Sequence, residues 1–204
     1  DFSPIDDLVD FCEENRAILI VDEAHSVGVF GEKGEGLVHA LKKQDKVPLR
    51  IVTFGKALGG HGAAVLCSKL VKDYLINFSR PFIYTTALPP QSVSDVIQNY
   101  TLLEDPTNLN KLVTNILFFR SEIQKYKQVQ IVKSESAIQC ILFNGGPNEA
   151  LQCSEFLRVN GFDVRAILFP TVKQGMERLR ICLHSFNTKQ QITSLVKCIA
   201  DFQS

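Results

Sequence analysis

The sequence lacks an excess of charge of either sign, and it lacks any long apolar run. Its 204 residues include 22 Lys and Arg and 22 Asp and Glu, so the formal net charge at pH 7 is zero. A basic face that binds nucleic acid needs a surplus of Lys and Arg. A membrane-spanning helix needs about 18 or more consecutive apolar residues. We therefore expect no nucleic-acid partner and no membrane span.

Paired cysteine motifs are also missing. The six cysteines are scattered singly, and no two have the Cys-x-x-Cys spacing of a zinc or redox site. Disulfide frameworks are typical of small secreted chains, and this chain is long enough to build a proper core. The pattern predicts free thiols, no metal site and a reducing, cytoplasmic compartment.

Two further absences concern nucleotide binding and the start of the chain. No Gly-x-Gly-x-x-Gly segment opens a helix after a strand, which excludes a Rossmann-type nucleotide binder. The chain begins Asp-Phe-Ser-Pro, without an initiator Met or a signal peptide, and a helix pattern follows within a few residues. This start favours the interpretation that the chain is a fragment of a longer polypeptide.

The hydrophobic pattern indicates two kinds of organisation along the chain. The first part alternates helical patterns with short apolar strands, and the second part interleaves short strands with amphipathic helices. The sequence therefore predicts an α/β domain over residues 1–95 and a small α+β domain over residues 96–204. The segments of the first part are a helix at 5–16, strands at 17–21, 50–53 and 63–67, a helix at 69–78 and an extended piece at 82–86.

An acid and a histidine follow the first apolar run. Residues 17–21 form a continuous apolar segment, typical of a buried parallel strand, and Asp22 follows directly, with His25 three residues later. Open α/β sheets bind ligands at the carboxyl ends of their strands. Each residue has an ordinary alternative, Asp22 as a capping or loop acid and His25 as a loop hydrogen bonder.

A lysine follows the second strand. Lys56 lies in the segment TFGKALGG, flanked by small and apolar residues, so we expect it to be poorly solvated. Desolvation lowers a lysine pKa, which makes the amine usable for a Schiff base; the alternative is a surface lysine. The hydroxyl of Thr53 is placed to bind a phosphate beside it. An acid and a lysine in this order suit pyridoxal phosphate, which needs an amine for its aldehyde and a carboxylate for its ring nitrogen.

Several motifs together resemble one family, the α-oxoamine synthases. They are DEAHSVG at 22–28, the glycines at 31, 34 and 36, TFGKALG at 53–59, RPFIYTTALPP at 80–90 and GMERLRI at 175–181. These enzymes belong to the aspartate aminotransferase-like class of pyridoxal phosphate enzymes, and the motifs keep the family's order from residue 18 to about residue 186. The resemblance implies part of the large cofactor-binding α/β domain followed by the small C-terminal α+β domain.

The resemblance also implies roles for four residues around the cofactor. Asp22 would pair with the pyridinium nitrogen, and His25 would hydrogen-bond the phenolic oxygen of the ring. Thr53 would hold the phosphate. Lys56 would bind the cofactor covalently and then remove the Cα proton of a bound amino acid.

Three residues are implied beyond the cofactor ring. Thr86 resembles a threonine that reaches the phosphate in the neighbouring subunit, which implies a homodimer with a shared active site. Arg180 resembles the arginine that binds the substrate carboxylate, a task that suits a bidentate guanidinium. Arg178 has a weaker claim to the same role.

The implied reaction is a decarboxylative condensation of an amino acid with an acyl thioester carried by coenzyme A or by a carrier protein. The versions YTTALPP and LRICLHSFN favour alanine and a pimeloyl thioester, as in biotin synthesis. Glycine C-acetyltransferase, 5-aminolevulinate synthase and serine palmitoyltransferase are sibling alternatives, and a lyase or racemase would use the same acid and lysine. An inactive fragment is the remaining alternative, because the family's N-terminal region, which stacks an aromatic residue on the ring, is absent.

Lys173 also stands where the family has proline, and we expect it to be solvated.

Overall fold

The computed structural model describes residues 2–203, which form two compact units. One unit comprises Ser3–Leu109, and the other comprises Phe2 with residues 110–203. The predicted division, between residues 95 and 96, lies before the boundary between the two units, which falls between residues 109 and 110. Val96, on the far side of the predicted division, packs into the core of the first unit. The terminal residues of the two predicted domains, Asp1 and Ser204, lie outside the described residues.

A three-stranded sheet organises the first unit. Its strands β1 (Ile20–Asp22), β2 (Leu49–Thr53) and β3 (Ala63–Cys67) lie side by side in chain order, β2 running parallel to β1 and antiparallel to β3. Asp22 is opposite Ile51, and Thr53 is opposite Ala63. The ends of β1 and β2 and the start of β3 therefore lie at one edge of the sheet.

Five helices accompany this sheet: α1 (Ile5–Glu14), α2 (Leu37–Ala40), α3 (Lys69–Phe78), α4 (Arg80–Ile83) and α5 (Pro90–Leu102). Ser68 caps α3, since its side chain accepts a hydrogen bond of 3.3 Å from the Val71 amide. The prediction of an extended piece at 82–86 is wrong. Its first residues belong to α4, whose first turn contains Pro81, a residue compatible with a helix start because its missing N–H has no partner there anyway.

Burial in the first unit differs from the sequence prediction at β1. The unit packs two small cores, one around Ile5 and Val38 and the other around Val52 and Phe54. The apolar run at 17–21 predicted a strand buried on both faces, which is wrong: Ile18 is 71% exposed and Ile20 is 56% exposed. The physical reason is that only one face of this run is covered: Leu19 and Val21 pack against the core around Ile5, and no described element covers the opposite face.

The second unit is an antiparallel sheet with helices. Its strands β4 (Gln130–Ile131), β5 (Ile138–Leu142), β6 (Arg165–Ile167) and β7 (Arg178–Cys182) lie in the order β4-β5-β7-β6. Its helices are α6, which begins just before the unit (Thr107–Ile123), α7 (Gly146–Val159) and α8 (Lys189–Phe202). The core combines one face of the sheet with side chains of all three helices, including Phe119, Leu157, Leu179, Ile181 and Ile199. No helix within residues 2–203 is long and apolar enough to cross a membrane.

Candidate active site

The first element of the candidate site is the turn that follows β1. Asp22 ends the strand, and its Oδ1 accepts a hydrogen bond of 2.8 Å from the Ala24 amide. The amides of Ser26 and Val27 donate to the Glu23 carbonyl at 2.9 and 3.2 Å, closing a tight turn. This turn carries His25, and the side chains of Asp22 and His25 are both exposed at the sheet edge.

The second element is the turn that follows β2. The Gly59 amide donates to the Lys56 carbonyl at 3.0 Å, which closes the turn around the lysine. Lys56 is exposed, so the expectation that apolar neighbours in sequence would desolvate it is wrong. The apolar residue of this segment points elsewhere, since Leu58 is buried in the core beneath. An exposed amine at this edge is accessible to a ligand.

Thr53, the last residue of β2, has an unusual polar environment. Its Oγ1 is buried, yet it has no hydrogen-bond partner in the described part of the chain. Buried polar atoms in proteins nearly always have a partner. An unsatisfied hydroxyl next to a lysine turn fits an external group with acceptor oxygens, as a phosphate has.

The two turns are in direct contact. Gly28 has φ of +78°, and a Cβ at this position would overlap Ala57 Cβ, so only glycine permits the approach. Beneath this contact, Val27 packs with Phe54 and Leu58 in one core cluster. The structure therefore brings together the segments that carry Asp22 and His25 with those that carry Thr53 and Lys56.

Thr86 lies in the segment after α4, and it is exposed. This segment approaches the loop before β3, since a Cβ at Gly62 would lie 2.7 Å from Leu88 Cδ1. The proposed role of Thr86 depends on a second subunit and stays a prediction.

Arg180 lies in the second unit, on β7. Arg178 and Arg180 project from one face of the strand, while Leu179 and Ile181 are buried on the other. The Arg178 Nε donates to the Met176 carbonyl at 2.8 Å, whereas Arg180 is exposed and forms no ion pair within residues 2–203. Its cross-strand neighbour, Arg165, pairs with Asp163 at 2.8 Å. Arg180 is therefore the more exposed of the two β7 arginines, and its guanidinium has no hydrogen-bond or ion-pair partner within residues 2–203.

Sequence reasoning missed the buried acid beside Asp22. Glu23 is 1% exposed, and its carboxylate contacts three separate segments. The sequence did contain a signal for Glu23: it is a second acid, directly after Asp22, at the end of an apolar strand. The described residues contain no group of three or more His, Cys, Asp or Glu placed to hold a metal ion.

Comparison with known proteins shows the family of the chain. The family model for aminotransferase class I and II matches residues 2–199. The chain belongs to the aminotransferase class I and II family. The family resemblance inferred from the motifs is thereby confirmed, and the matched segment includes every residue assigned to the candidate site.

Individual relatives within the family are similar to this chain over nearly its whole length. An 8-amino-7-oxononanoate synthase of Emericella nidulans is 37% identical over 213 residues, covering 98% of this chain and 51% of the relative. A crystal structure of 8-amino-7-oxononanoate synthase from Francisella tularensis has a TM-score of 0.86 at 33% identity and covers 98% of this chain and 58% of the other. The chain thus spans about half the length of the curated relatives it matches.

A more distant structure supports the fold alone. A serine palmitoyltransferase from Sphingomonas wittichii has a TM-score of 0.90 at 22% identity, covering 99% of this chain and 51% of the other. The expected α/β fold of this enzyme class is therefore confirmed.

Proposed function

We propose that the chain carries the lysine-bearing part of a pyridoxal phosphate-dependent acyltransferase of the α-oxoamine synthase type. The observation that supports this most is the contact between the Asp22 turn and the Lys56 turn at one edge of the sheet. That contact supports a single ligand site to which Asp22 contributes an acid and Lys56 contributes an amine. The relatives named 8-amino-7-oxononanoate synthase support the same conclusion.

The residues present fit the cofactor at three points. Pyridoxal phosphate supplies an aldehyde for an amine and a ring that withdraws electrons when its nitrogen is protonated. Asp22 provides the carboxylate that keeps a proton on that nitrogen, and His25 donates to the phenolic oxygen. The buried Thr53 Oγ1 gains the partner that it lacks by hydrogen-bonding the phosphate. Serine palmitoyltransferase structures that share this fold are described with pyridoxal phosphate.

Lys56 moves the proton in this proposal. The Lys56 Nζ would be the amine that holds the cofactor through its aldehyde, and once the amino acid is bound it would be the base that accepts the proton from the substrate Cα. The exposed position of Lys56 supports this role, because the amine must remain reachable by both the cofactor and the substrate.

The substrates are an amino acid and an acyl thioester. Arg180 binds the carboxylate of the amino acid, a role consistent with its exposed guanidinium on β7. We propose alanine and a pimeloyl thioester, on coenzyme A or a carrier protein, because the relatives at 36–37% identity are named for the synthesis of 8-amino-7-oxononanoate. In the condensation, Cα would lose its proton and bond the carbonyl carbon of the thioester, whose C–S bond breaks to release the protonated thiol. The bond from Cα to the carboxyl group would then break to release carbon dioxide, and a proton would take its place on Cα.

The working enzyme is proposed to be a cytoplasmic homodimer. Large apolar side chains are exposed on α3, α4 and the residue after α4, namely Leu70, Tyr74, Phe78, Phe82 and Tyr84. Contiguous exposed apolar surface usually marks an interaction site, and Thr86 follows directly on this stretch of chain. The six unpaired cysteines suit a reducing compartment.

Serine palmitoyltransferase is the second candidate activity. Its structures have TM-scores of 0.90–0.91, compared with 0.86 for the Francisella synthase, but they are only 22–23% identical to the chain. Fold similarity is common to the whole class, so the higher sequence identity favours 8-amino-7-oxononanoate synthesis.

Cofactor binding is tested by trapping the lysine. Pyridoxal phosphate is added to the purified 204-residue chain, reduced with borohydride, and the labelled peptide is mapped. We expect the label on Lys56, loss of the label in Lys56→Ala, and an unchanged label in the control Lys72→Ala, which alters an exposed lysine on α3. Label retained in Lys56→Ala would contradict the assignment.

Substrate choice is tested separately by release of free thiol. Alanine, glycine and serine are each paired with pimeloyl-, acetyl- and palmitoyl-coenzyme A, and we expect thiol release with alanine and the pimeloyl thioester. Faster release with serine and palmitoyl-coenzyme A would favour the second candidate. Cofactor labelling without thiol release from any pair would support the inactive-fragment alternative.

A further inference from the structure

Glu23 carries a buried carboxylate in the middle of the candidate site's first turn. The residue is 1% exposed, and it separates Asp22 from Ala24 and His25 in the chain. A buried charge is costly unless it is paired and hydrogen-bonded. Such a group at this position therefore requires a dedicated set of partners.

The partners of the Glu23 carboxylate come from three different segments. The Ser26 hydroxyl donates to Oε1 at 2.9 Å from within the turn, and the Val38 amide donates to Oε1 at 3.0 Å from α2. Arg50 Nη1, from β2, lies 3.2 Å from Oε2 and forms an ion pair with it. The carboxylate thereby links the turn after β1 to the neighbouring strand and to a helix.

The backbone of Glu23 is fixed as firmly as its side chain. Its amide donates to the Ile51 carbonyl at 2.8 Å, which continues the pairing of β1 with β2, and its carbonyl accepts from Ser26 and Val27. On the other side, Gly36 makes room for the carboxylate, because a Cβ there would lie 2.6 Å from Glu23 Oε1. Gly36 also has φ of +108°, a conformation that other residues rarely adopt.

We propose that Glu23 is a positioning residue that holds Asp22 and His25 in the orientation required to bind the cofactor ring. The inference rests on the proposed function for the ligand, while the contacts themselves belong to the chain. Glu23 does not touch the ligand in this proposal; it acts through the turn, because its side chain ties down the backbone between the two ring-binding residues.

The test begins without any ligand. Hydrogen exchange of the Ser26 and Val27 amides is measured in the full chain and in Glu23→Gln, which keeps the shape of the side chain and removes its charge. We expect exchange at these amides to be faster by about tenfold, corresponding to about 1.4 kcal/mol of local stability, with the β2–β3 amides unchanged. Equal exchange in the two proteins would overturn the proposal.

A control variant and an alternative variant support the measurement of amide exchange. Glu13→Gln removes a surface carboxylate that pairs with Lys46 in the same unit, and we expect no change in the turn. Ser26→Ala removes the hydroxyl that donates to Glu23 Oε1 at 2.9 Å and lies 3.3 Å from the Glu23 carbonyl oxygen, and it leaves the Val38 and Arg50 contacts in place. This variant decides the question if Glu23→Gln does not fold. Unchanged exchange at Val27 in Ser26→Ala would then overturn the proposal.

The second readout separates positioning from a merely structural role. Pyridoxal phosphate is titrated into each variant, and the pH dependence of its absorbance is recorded. We expect Glu23→Gln to bind the cofactor about tenfold more weakly and to shift the pH at which the absorbance changes, since the ring nitrogen loses a well-placed Asp22. Faster exchange with an unchanged affinity and pH profile would assign Glu23 a structural role only. If the unaltered chain binds no cofactor, the proposed function fails, and amide exchange alone decides whether Glu23 fixes the turn.

Discussion

Thr53 has two properties that seldom occur together in a folded core. Its hydroxyl is buried, and it has no hydrogen-bond partner within residues 2–203. A buried polar atom without a partner costs about 1–3 kcal/mol. A protein that keeps such an atom beside a lysine turn gains from it elsewhere, and phosphate binding is the gain proposed here.

This interpretation predicts opposite effects of Thr53→Val on stability and on binding. The substitution keeps the shape and removes the unsatisfied hydroxyl, so we expect the free energy of unfolding to be unchanged or higher by up to about 1 kcal/mol. The affinity for pyridoxal phosphate should fall by about tenfold. Chemical unfolding and cofactor titration measure the two effects.

Thr101→Val serves as the matched control for Thr53→Val. The Thr101 hydroxyl already donates to the Ile97 carbonyl at 3.2 Å on an exposed face of α5, so cofactor affinity should not change. A Thr53→Val protein that is markedly less stable and binds the cofactor normally would refute the phosphate role.

The cysteines of the second unit are expected to differ in reactivity. Burial raises the pKa of the Cys153 thiol from 9.0 to about 12, whereas Cys182 is exposed on β7. Because the thiolate is the reactive form, iodoacetamide at about pH 9 should modify Cys182 and leave Cys153 intact until the chain is unfolded. Mass spectrometry of the alkylated peptides gives the result.

The same pKa difference has a consequence for stability. Between pH 9.0 and about 12 the unfolded chain ionises this thiol while the folded unit keeps it neutral. The contribution of this thiol to the free energy of unfolding is therefore fully present below pH 9.0, and it is lost as the pH rises through this window. Rapid alkylation of Cys153 in the folded chain at pH 9 would contradict both statements.

At the scale of elements, α8 combines a capping motif at its N-terminus with an apolar face that packs into the core. The Thr188 hydroxyl accepts from the Gln191 amide at 3.2 Å, and the Gln191 side chain accepts from the Thr188 amide at 2.9 Å, which together form a capping box. The helix then buries one face, including Ile192, Val196 and Ile199.

Removing this cap should destabilise the second unit measurably. We expect Thr188→Ala to lower the free energy of unfolding by about 1 kcal/mol, monitored by circular dichroism in urea. Thr193→Ala, at an exposed position within the same helix, should be neutral or slightly stabilising because alanine is the better helix former. Equal effects of the two substitutions would show that the cap contributes nothing.

At the scale of the whole molecule, the chain consists of two units with separate cores. Helices α5 and α6 are joined by residues 103–106, a short turn near the C-terminal end of the first unit in which Glu104 is exposed. Exposed turns close to the boundary of a compact unit are preferred sites of proteolytic cleavage.

Limited proteolysis should therefore separate the units. We expect a glutamate-specific protease to cut after Glu104 and to leave two resistant fragments, identified by mass spectrometry. Glu104→Gln should remove this cleavage and leave other sites unaffected. Early cuts inside α7 or the β5–β7 sheet would indicate that the second unit is not independently stable.

Local features of the protein could largely be predicted from its sequence. The motifs that identify the family, the strand at 63–67, the cap at Ser68 and the acid and lysine at the ends of β1 and β2 all follow from short-range patterns. Backbone propensity, capping and turn chemistry depend on a few neighbouring residues, so the chain specifies them directly.

Burial and contact between segments were decided only by the tertiary structure. The exposure of Lys56 and Ile20, the buried carboxylate of Glu23, the unsatisfied hydroxyl of Thr53 and the approach of Gly28 to Ala57 were not predicted. Each depends on which elements pack together, often many residues apart, as with Glu23 and Arg50. An apolar segment encodes its preference for burial, but the fold determines whether another element covers it.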